Sequence, residues 1–228
     1  MFNISRTNYG HSMSAHLSEE LFKTWVSGWS SCRDYQPHDD GRAVSVSLTD
    51  GGNQLEHFLY EPTDEQALAL ATETQADPNR LLTVVTTRMD DLLAALSPLG
   101  MRVIDNRQAL MTVNMDGQDV EDPRPPDEVF SITHLREPSC RRVIVTANGE
   151  EAARGSVAVE QGFAVYDRIV TSEKYRRRGL GSYVMRALTS AVLENDVEHG
   201  LLMASADGQQ LYQHLGWQHL ADAFVIRA

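Results

Sequence analysis

The chain is short of cysteine, of basic charge and of long apolar runs, and each shortage closes off a class of protein. Cys32 and Cys140 are the only cysteines in 228 residues. They stand too far apart for metal-ligand spacing, so two packed, reduced thiols are the expectation and a disulfide framework is not. No segment approaches the about 18 uninterrupted apolar residues of a membrane span. The opening "MFNISRTNYGHSMSAHLSEE" has neither the charged start nor the apolar stretch of a secretory signal, and a cytoplasmic chain is expected. Lys and Arg number 20 against 32 Asp and Glu, a net charge of −12, which argues against a surface for nucleic acid or for an anionic membrane. Any anion site has to be local.

What is present is ordinary globular material: 42% hydrophobic and 23% charged residues, enough for one large domain or two small lobes. A helix is expected near 18–30, with Ser18 as its cap and Glu19 and Glu20 in its first turn. Leu21, Trp25 and Trp29 recur every four residues on one face, as a docking helix in the core or as a substrate wall. "RAVSVSL", the turn "TDGGN" and "QLEHFLY" read as a hairpin. From 62 onward the pattern gives helix, buried strand ("RLLTVVTT"), helix ("MDDLLAALSPLG") and strand ("MRVIDNRQALMTVNM").

That order returns at 201–228, "LLMASADGQQLYQHLGWQHLADAFVIRA". The Leu-Leu pairs lie 120 positions apart and Leu99-Gly100 and Leu215-Gly216 lie 116 apart. A weak internal duplication of a half-domain and a chance recurrence both account for it. The proline- and acid-rich stretch "DGQDVEDPRPPDEVF" is the expected linker. The division is then an N-terminal lobe at 1–116, a linker at 117–129 and a second domain at 130–228. "RRVIVTA", "AARGSVAVE" and "FAVYDRIVT" form an expected three-stranded antiparallel meander, in which Asn148-Gly149 is the strongest hairpin signal.

After the meander comes "EKYRRRGLGSYVM". Lys174, Arg176, Arg177 and Arg178 are a fifth of all the basic residues. As a charge run alone this is a solvated surface. Its flanks change that reading: Gly179 and Gly181 remove side chains where a strand hands over to a helix expected at 179–194, so backbone N–H groups can approach an anion closely. Val184, Leu188, Ala191 and Val192 give that helix one apolar face. A Walker loop is excluded, because Ser182 follows Gly181 with no lysine between. The dinucleotide fingerprint fails too: position 184 is valine and the preceding strands are antiparallel hairpins.

"RRRGLG", Arg176 to Gly181, resembles the Arg/Gln-x-x-Gly-x-Gly/Ala signature of the GNAT superfamily of acyl-CoA N-acyltransferases. Its context is similar too: a strand before the loop, a long helix after it, then "LLMAS" and "LYQHLGW". The likeness covers roughly 130–228. It implies a mixed, mostly antiparallel α/β (α+β) sheet flanked by helices, with the N-terminal lobe as a degenerate half of the same fold. It also implies acetyl-CoA as cosubstrate, no metal, and an amine-bearing small molecule or peptide as acceptor. Oligomeric state is open, and a homodimer is compatible with the sequence.

On this resemblance, Arg176, Arg177, Arg178, Gly179, Leu180, Gly181 and Ser182 would hold the pyrophosphate. The backbone of Ile169, Val170 and Thr171 would meet the pantetheine arm. Ser205 stands where many members have an asparagine that reaches the cofactor. Tyr212 matches the tyrosine that protonates the departing thiolate, an uphill transfer of about 2 kcal/mol between a thiol near ~8.5 and a phenol near ~10; without the family it reads as a core aromatic. Alternation along the strand puts Asp167 on the same face as Ile169 and Thr171. It is read as a proton acceptor, as an ammonium anchor, or as a structural partner of Arg168 or another arginine. Tyr166, Glu160 and His214 are expected to be structural. The rival to an enzyme is a non-catalytic acyl-CoA sensing module.

Overall fold

A computed structural model describes residues 16–49, 52–118 and 124–228. Residues 119–123 of the expected linker, Asp50 and Gly51 of the "TDGGN" turn, and the first 15 residues, read above for a signal, lie outside the described residues. The helices are α1 (Glu19–Ser31), α2 (Asp64–Gln75), α3 (Met89–Leu96), α4 (Leu180–Val192) and α5 (Ala206–His214). The strands are β1 (Pro37–Asp39), β2 (Val44–Leu48), β3 (Gln54–Tyr60), β4 (Arg80–Thr86), β5 (Arg102–Asn114), β6 (Phe130–Arg136), β7 (Arg141–Ala147), β8 (Glu150–Glu160), β9 (Phe163–Thr171), β10 (His199–Ala204) and β11 (Gln218–Arg227).

Local chemistry accounts for most of these boundaries. Ser18 caps α1 by accepting the Leu21 N–H at 3.1 Å. Thr63 and Gln66 close a reciprocal capping box on α2. Asn148 and Gly149 both take positive φ, at 53° and 82°, as a two-residue hairpin requires, and the β7–β8 hairpin forms there. One strand was missing from the expected meander: β6, which pairs antiparallel with β7 from Phe130↔Ala147 to Arg136↔Arg141.

All eleven strands belong to one sheet, ordered β1-β2-β3-β4-β11-β5-β10-β9-β8-β7-β6. Only β3–β4 and β9–β10 are parallel, and the rest are antiparallel. This is the mixed, mostly antiparallel sheet flanked by helices that the sequence implied. The six central strands, β3-β4-β11-β5-β10-β9, are symmetric about the β11–β5 pair, with a parallel pair on each side. Each strand–helix–strand unit lends its last strand to the other: β11 lies against β4, and β5 lies against β10.

One face of the sheet carries α1, whose Trp25 and Trp29 share a core with Phe58, Val85, Leu110, Val165 and Leu201. The other face carries α2 and α3 over Leu82, Val84 and Phe224, and α4 over Val143, Val157, Tyr166 and Leu202. Cys32 and Cys140 are free thiols buried together with Ala158. Gly28 sets how closely α1 docks, because a Cβ there would lie 2.4 Å from the Val165 side chain.

Alanine raises helix propensity over glycine by ~1 kcal/mol, but overpacking at a closed contact costs ~1–3 kcal/mol. Gly28→Ala is therefore expected to lower the urea midpoint of unfolding, against the propensity trend. A raised midpoint would show that α1 sits loosely on β9.

Candidate active site

The site begins with an irregularity in β9. Ser156 pairs with Asp167 and Arg154 with Val170, so the single residue Gly155 faces two residues, Arg168 and Ile169. This is a β-bulge, and Arg168 takes the left-handed conformation at φ 54°. The extra residue reverses the alternation. Asp167 stays on the α1 face beside Arg33, while Ile169 turns into the core under α4. The expectation that Asp167, Ile169 and Thr171 share a face is therefore wrong, because alternation holds only where no residue is inserted. Gly155 makes the arrangement possible: a Cβ there would lie 2.5 Å from Ile169 Cδ1 and 2.7 Å from Val184 Cγ1.

Past the bulge, β9 and β10 part. They pair only from His199↔Phe163 to Leu202↔Tyr166, although β9 runs on to Thr171 and β10 to Ala204. The β10-facing edge of residues 167–171 therefore carries backbone groups with no strand beside them. The symmetric pair behaves otherwise, since β3 and β4 remain paired to Tyr60↔Val85.

Beside this gap stands the arginine-glycine loop. Gly179 takes φ 77° as the residue before α4, which has no side-chain cap. The first helical bond is from the Tyr183 N–H to the Gly179 carbonyl at 3.0 Å, and among the described residues the amides of Leu180, Gly181 and Ser182 have no acceptor. A Cβ at Gly181 would sit 3.0 Å from Leu211 Cδ2 and 3.8 Å from Thr171 Oγ1, so glycine keeps the approach between α4, α5 and β9 open. Arg178 is held in place, paired with Asp127 at 3.0 Å and lying 4.7 Å over the Phe130 ring. Arg177 is exposed with φ 60°, and Arg176 reaches the Thr171 carbonyl at 3.5 Å. The capping box of α2 occupies the corresponding helix start in the N-terminal half.

Tyr212, on α5, is buried in the α4-side core near Trp217, with ring centroids 5.9 Å apart. Burial, and secondarily the Asp167 charge, push its phenol well above the usual tyrosine range, so it stays a neutral O–H donor. Its hydroxyl makes no hydrogen bond among the described residues and is not sealed from solvent. Ser205 caps α5 by accepting the Gly208 N–H at 3.3 Å. Tyr166 donates to or accepts from Thr189 Oγ1 at 2.7 Å, and Glu160 accepts from Ser31 at 2.8 Å, both structural roles. His214 is exposed in the last turn of α5.

Across the sheet, on the α1 face, lies a cavity of about 310 Å³. Asp167 and Ser205 line it at the end nearest the gap. Trp25, Trp29 and Phe58 supply an aromatic wall, so the helix face carrying the tryptophans is both core and pocket wall. Arg33 donates from Nε to Asp167 Oδ2 at 2.7 Å and from Nη2 to Oδ1 at 3.0 Å, while its guanidinium lies 4.6 Å over Trp29. Of the readings open for Asp167, the structure shows the ion pair, with Arg33 as partner. A proton or ammonium arriving there would have to displace a bidentate, charge-assisted bond.

Sequence reasoning missed Glu56. It is buried in the same cavity, and its Oε1 accepts from Thr83 Oγ1 at 2.5 Å, its one hydrogen bond among the described residues. Burial raises its carboxyl above the ordinary 4.5, opposed by the Thr83 bond and by the Arg33 charge. The available signal was an acid at every-second spacing with Phe58 on a strand read as half of a hairpin.

Residues 139–219, roughly a third of the chain, match the family described as an acetyltransferase (GNAT) domain. That stretch is similar to a GNAT domain. Solved structures agree on the fold across both halves. A GCN5-related N-acetyltransferase from Kribbella flavida superposes with TM-score 0.64 at 16% identity, covering 94% of this chain and 96% of that one. A GCN5-related N-acetyltransferase-like protein from Streptococcus suis 89/1591 gives 0.55 at 14%, covering 85% and 88%. A tandem GNAT protein from the clavulanic acid biosynthesis pathway gives 0.54 at 14%, covering 82% and 78%. No group of three or more His, Cys, Asp or Glu side chains suited to a metal occurs among the described residues, and no helix there is long and apolar enough to cross a membrane.

The folded state holds the Glu56 proton more tightly than the unfolded chain does, so ionised Glu56 costs stability. That cost is absent below its ordinary 4.5 and grows as pH rises through the folded-state value. Glu56→Gln should leave the unfolding midpoint unchanged near about pH 4 and raise it near about pH 8. An equal midpoint difference at both pH values would contradict the burial argument.

Proposed function

We propose that the protein is an acyl-CoA-dependent N-acetyltransferase that moves the acetyl group of acetyl-CoA to a primary amine by direct attack in a ternary complex. One observation carries this reading: the gap between β9 and β10 has the uncapped start of α4 beside it and opens toward the α1-face cavity at Asp167 and Ser205. A thioester lying in the gap would meet an amine arriving from the opposite face.

The residues fit a diphosphate in backbone geometry. The open amides of Leu180 to Ser182 and the helix dipole favour an anion by ~0.3–1 kcal/mol, up to ~2 if partly buried. Charge-assisted bonds from Arg176, Arg177 or Arg178 would add ~1.5–3 kcal/mol each. The unpaired edge of Ile169, Val170 and Thr171 would take the place of a missing strand against the amide-bearing arm of the cofactor. Ser205 accepts from Gly208 and retains its own O–H to donate.

Bound acetyl-CoA supplies the activated acyl group. Tyr212 would donate a hydrogen bond to sulfur as negative charge develops there. Its raised phenol makes full proton transfer in advance unfavourable, so the proton would move only as the carbon–sulfur bond breaks. Arg33 and Asp167 would fix the mouth of the acceptor cavity rather than exchange protons.

The N-terminal half lacks both the parted strands and the open helix start, which supports its reading as a lobe that completes the sheet and walls the acceptor. Likeness to a tandem GNAT protein is in keeping with that division. The acceptor class is a small amine or peptide amine, and the expected compartment is the cytoplasm. The bidentate Asp167–Arg33 bond, which leaves no free carboxylate at the gap, is the observation that favours a non-catalytic acyl-CoA module instead.

Calorimetry and thiol release together test the reading. Gly181→Asp should abolish the heat of coenzyme A binding, whereas Tyr212→Phe should keep the cofactor Kd within about twofold and lower kcat by about 10²-fold. Unchanged cofactor binding in Gly181→Asp would refute the loop assignment. Tight cofactor binding with no thiol released across amine and peptide panels would select the non-catalytic module.

A further inference from the structure

The α1-face cavity has an acidic end that the acyl-transfer chemistry does not use. Glu56 sits on β3, and four strands (β4, β11, β5 and β10) separate it from Asp167 on β9, where the gap opens. It lines the same cavity as Asp167 and Arg33 but comes from β3 rather than from the strands that part at the gap. Among the described residues its Oε1 is bonded by Thr83 and its other oxygen has no hydrogen-bond donor. The charged groups sharing the cavity are Arg33, just past the end of α1, and Asp167, from β9. Arg33 is engaged by Asp167 in their bidentate bond and acts on Glu56 only through space, so Glu56 has no hydrogen-bonded cation among the described residues.

Around Glu56 the walls suit a cation. Phe58 follows two residues later on the same face of β3, and Trp25 and Trp29 pack edge-on to it with ring centroids 5.9 and 5.1 Å away. An ammonium between a carboxylate and aromatic rings gains Coulomb and cation–π attraction in a site where water is partly displaced. An isolated buried carboxylate with an open oxygen is costly, and a cationic ligand removes that cost.

Resting on the acyl-transfer reading, we propose that Glu56 is a specificity-determining residue contributed by the N-terminal half, which holds a second, cationic nitrogen of a compact acceptor while its reacting amine lies at the β9–β10 gap. The acceptor is then a small diamine or an amine with another cationic centre. Glu56 binds and orients, and takes no proton from the attacking nitrogen.

Trp25 and Trp29 line the cavity, so their fluorescence reports its occupancy without turnover. Wild type and Glu56→Gln would be titrated with 1,5-diaminopentane, with pentylamine and with a Lys-Lys dipeptide amide. The diamine is expected to saturate wild type at a Kd at least about tenfold below that of pentylamine, and Glu56→Gln should abolish that advantage. Glu56→Asp, which keeps the charge and shortens the reach, should retain part of it. Equal affinity of wild type and Glu56→Gln for the diamine, or no preference for the diamine over pentylamine in wild type, would overturn the proposal. Preference for the dipeptide amide over the diamine would overturn the compact acceptor. Coenzyme A titration of the same variants is separate: loss of cofactor binding in wild type would sink acyl transfer, while a Glu56-dependent diamine site would still stand.

Discussion

The extra residue in β9, opposite Gly155, turns Ile169 toward α4 while Asp167 stays facing α1, and the rest of the site depends on that switch. A strand in regular alternation would carry its neighbour along its whole length and present one set of side chains to each face. Here the pairing with β10 stops at Tyr166, and the same strand serves the α4 core after the bulge and the α1 cavity before it. The parallel pair β3–β4, at the symmetric place in the sheet, has no bulge and no gap. The two halves thus share a layout and differ in the one local feature that opens a slot.

The second constraint is the exchange of final strands. Because β11 lies against β4 and β5 against β10, the sheet is continuous across both halves, and α1 can lie over strands from each. Gly28 lets it do so at close range. The consequence is a cavity with residues from β3, β4, β11, β5, β10 and β9 on its floor and tryptophans from α1 above. Neither half alone could form it. The carboxylate on β3 and the ion pair on β9 therefore belong to one site although more than a hundred residues separate them in the chain.

Much of this was legible in the sequence because it is local. Ser18, the Asn148-Gly149 turn and the glycine loop before α4 act over a few residues, and each appears where its chemistry placed it. The strand exchange was not legible, since pairing of β11 with β4 joins segments far apart in the chain and leaves no mark in either. The bulge had a signal that went unread: Gly155 interrupts an otherwise regular strand, and glycine inside a strand often marks a bulge or a close approach. Arg33 was invisible as a partner of Asp167 because it sits just past the end of α1, where its reach depends on how that helix docks. Glu56 was hidden by its neighbours: "QLEHFLY" reads as a hairpin strand whichever face the acid takes, and only the sheet order puts that face inside a cavity.

The account stands most directly on whether the edge of β9 beyond the bulge is an open strand edge awaiting a ligand. Hydrogen–deuterium exchange over the segment 167–171, with and without coenzyme A, measures this. The expected result is rapid exchange in the free protein and marked slowing once coenzyme A is added, while β3 and β4 exchange slowly in both states. Slow exchange of 167–171 in the free protein, or exchange that saturating coenzyme A leaves unchanged, would contradict it.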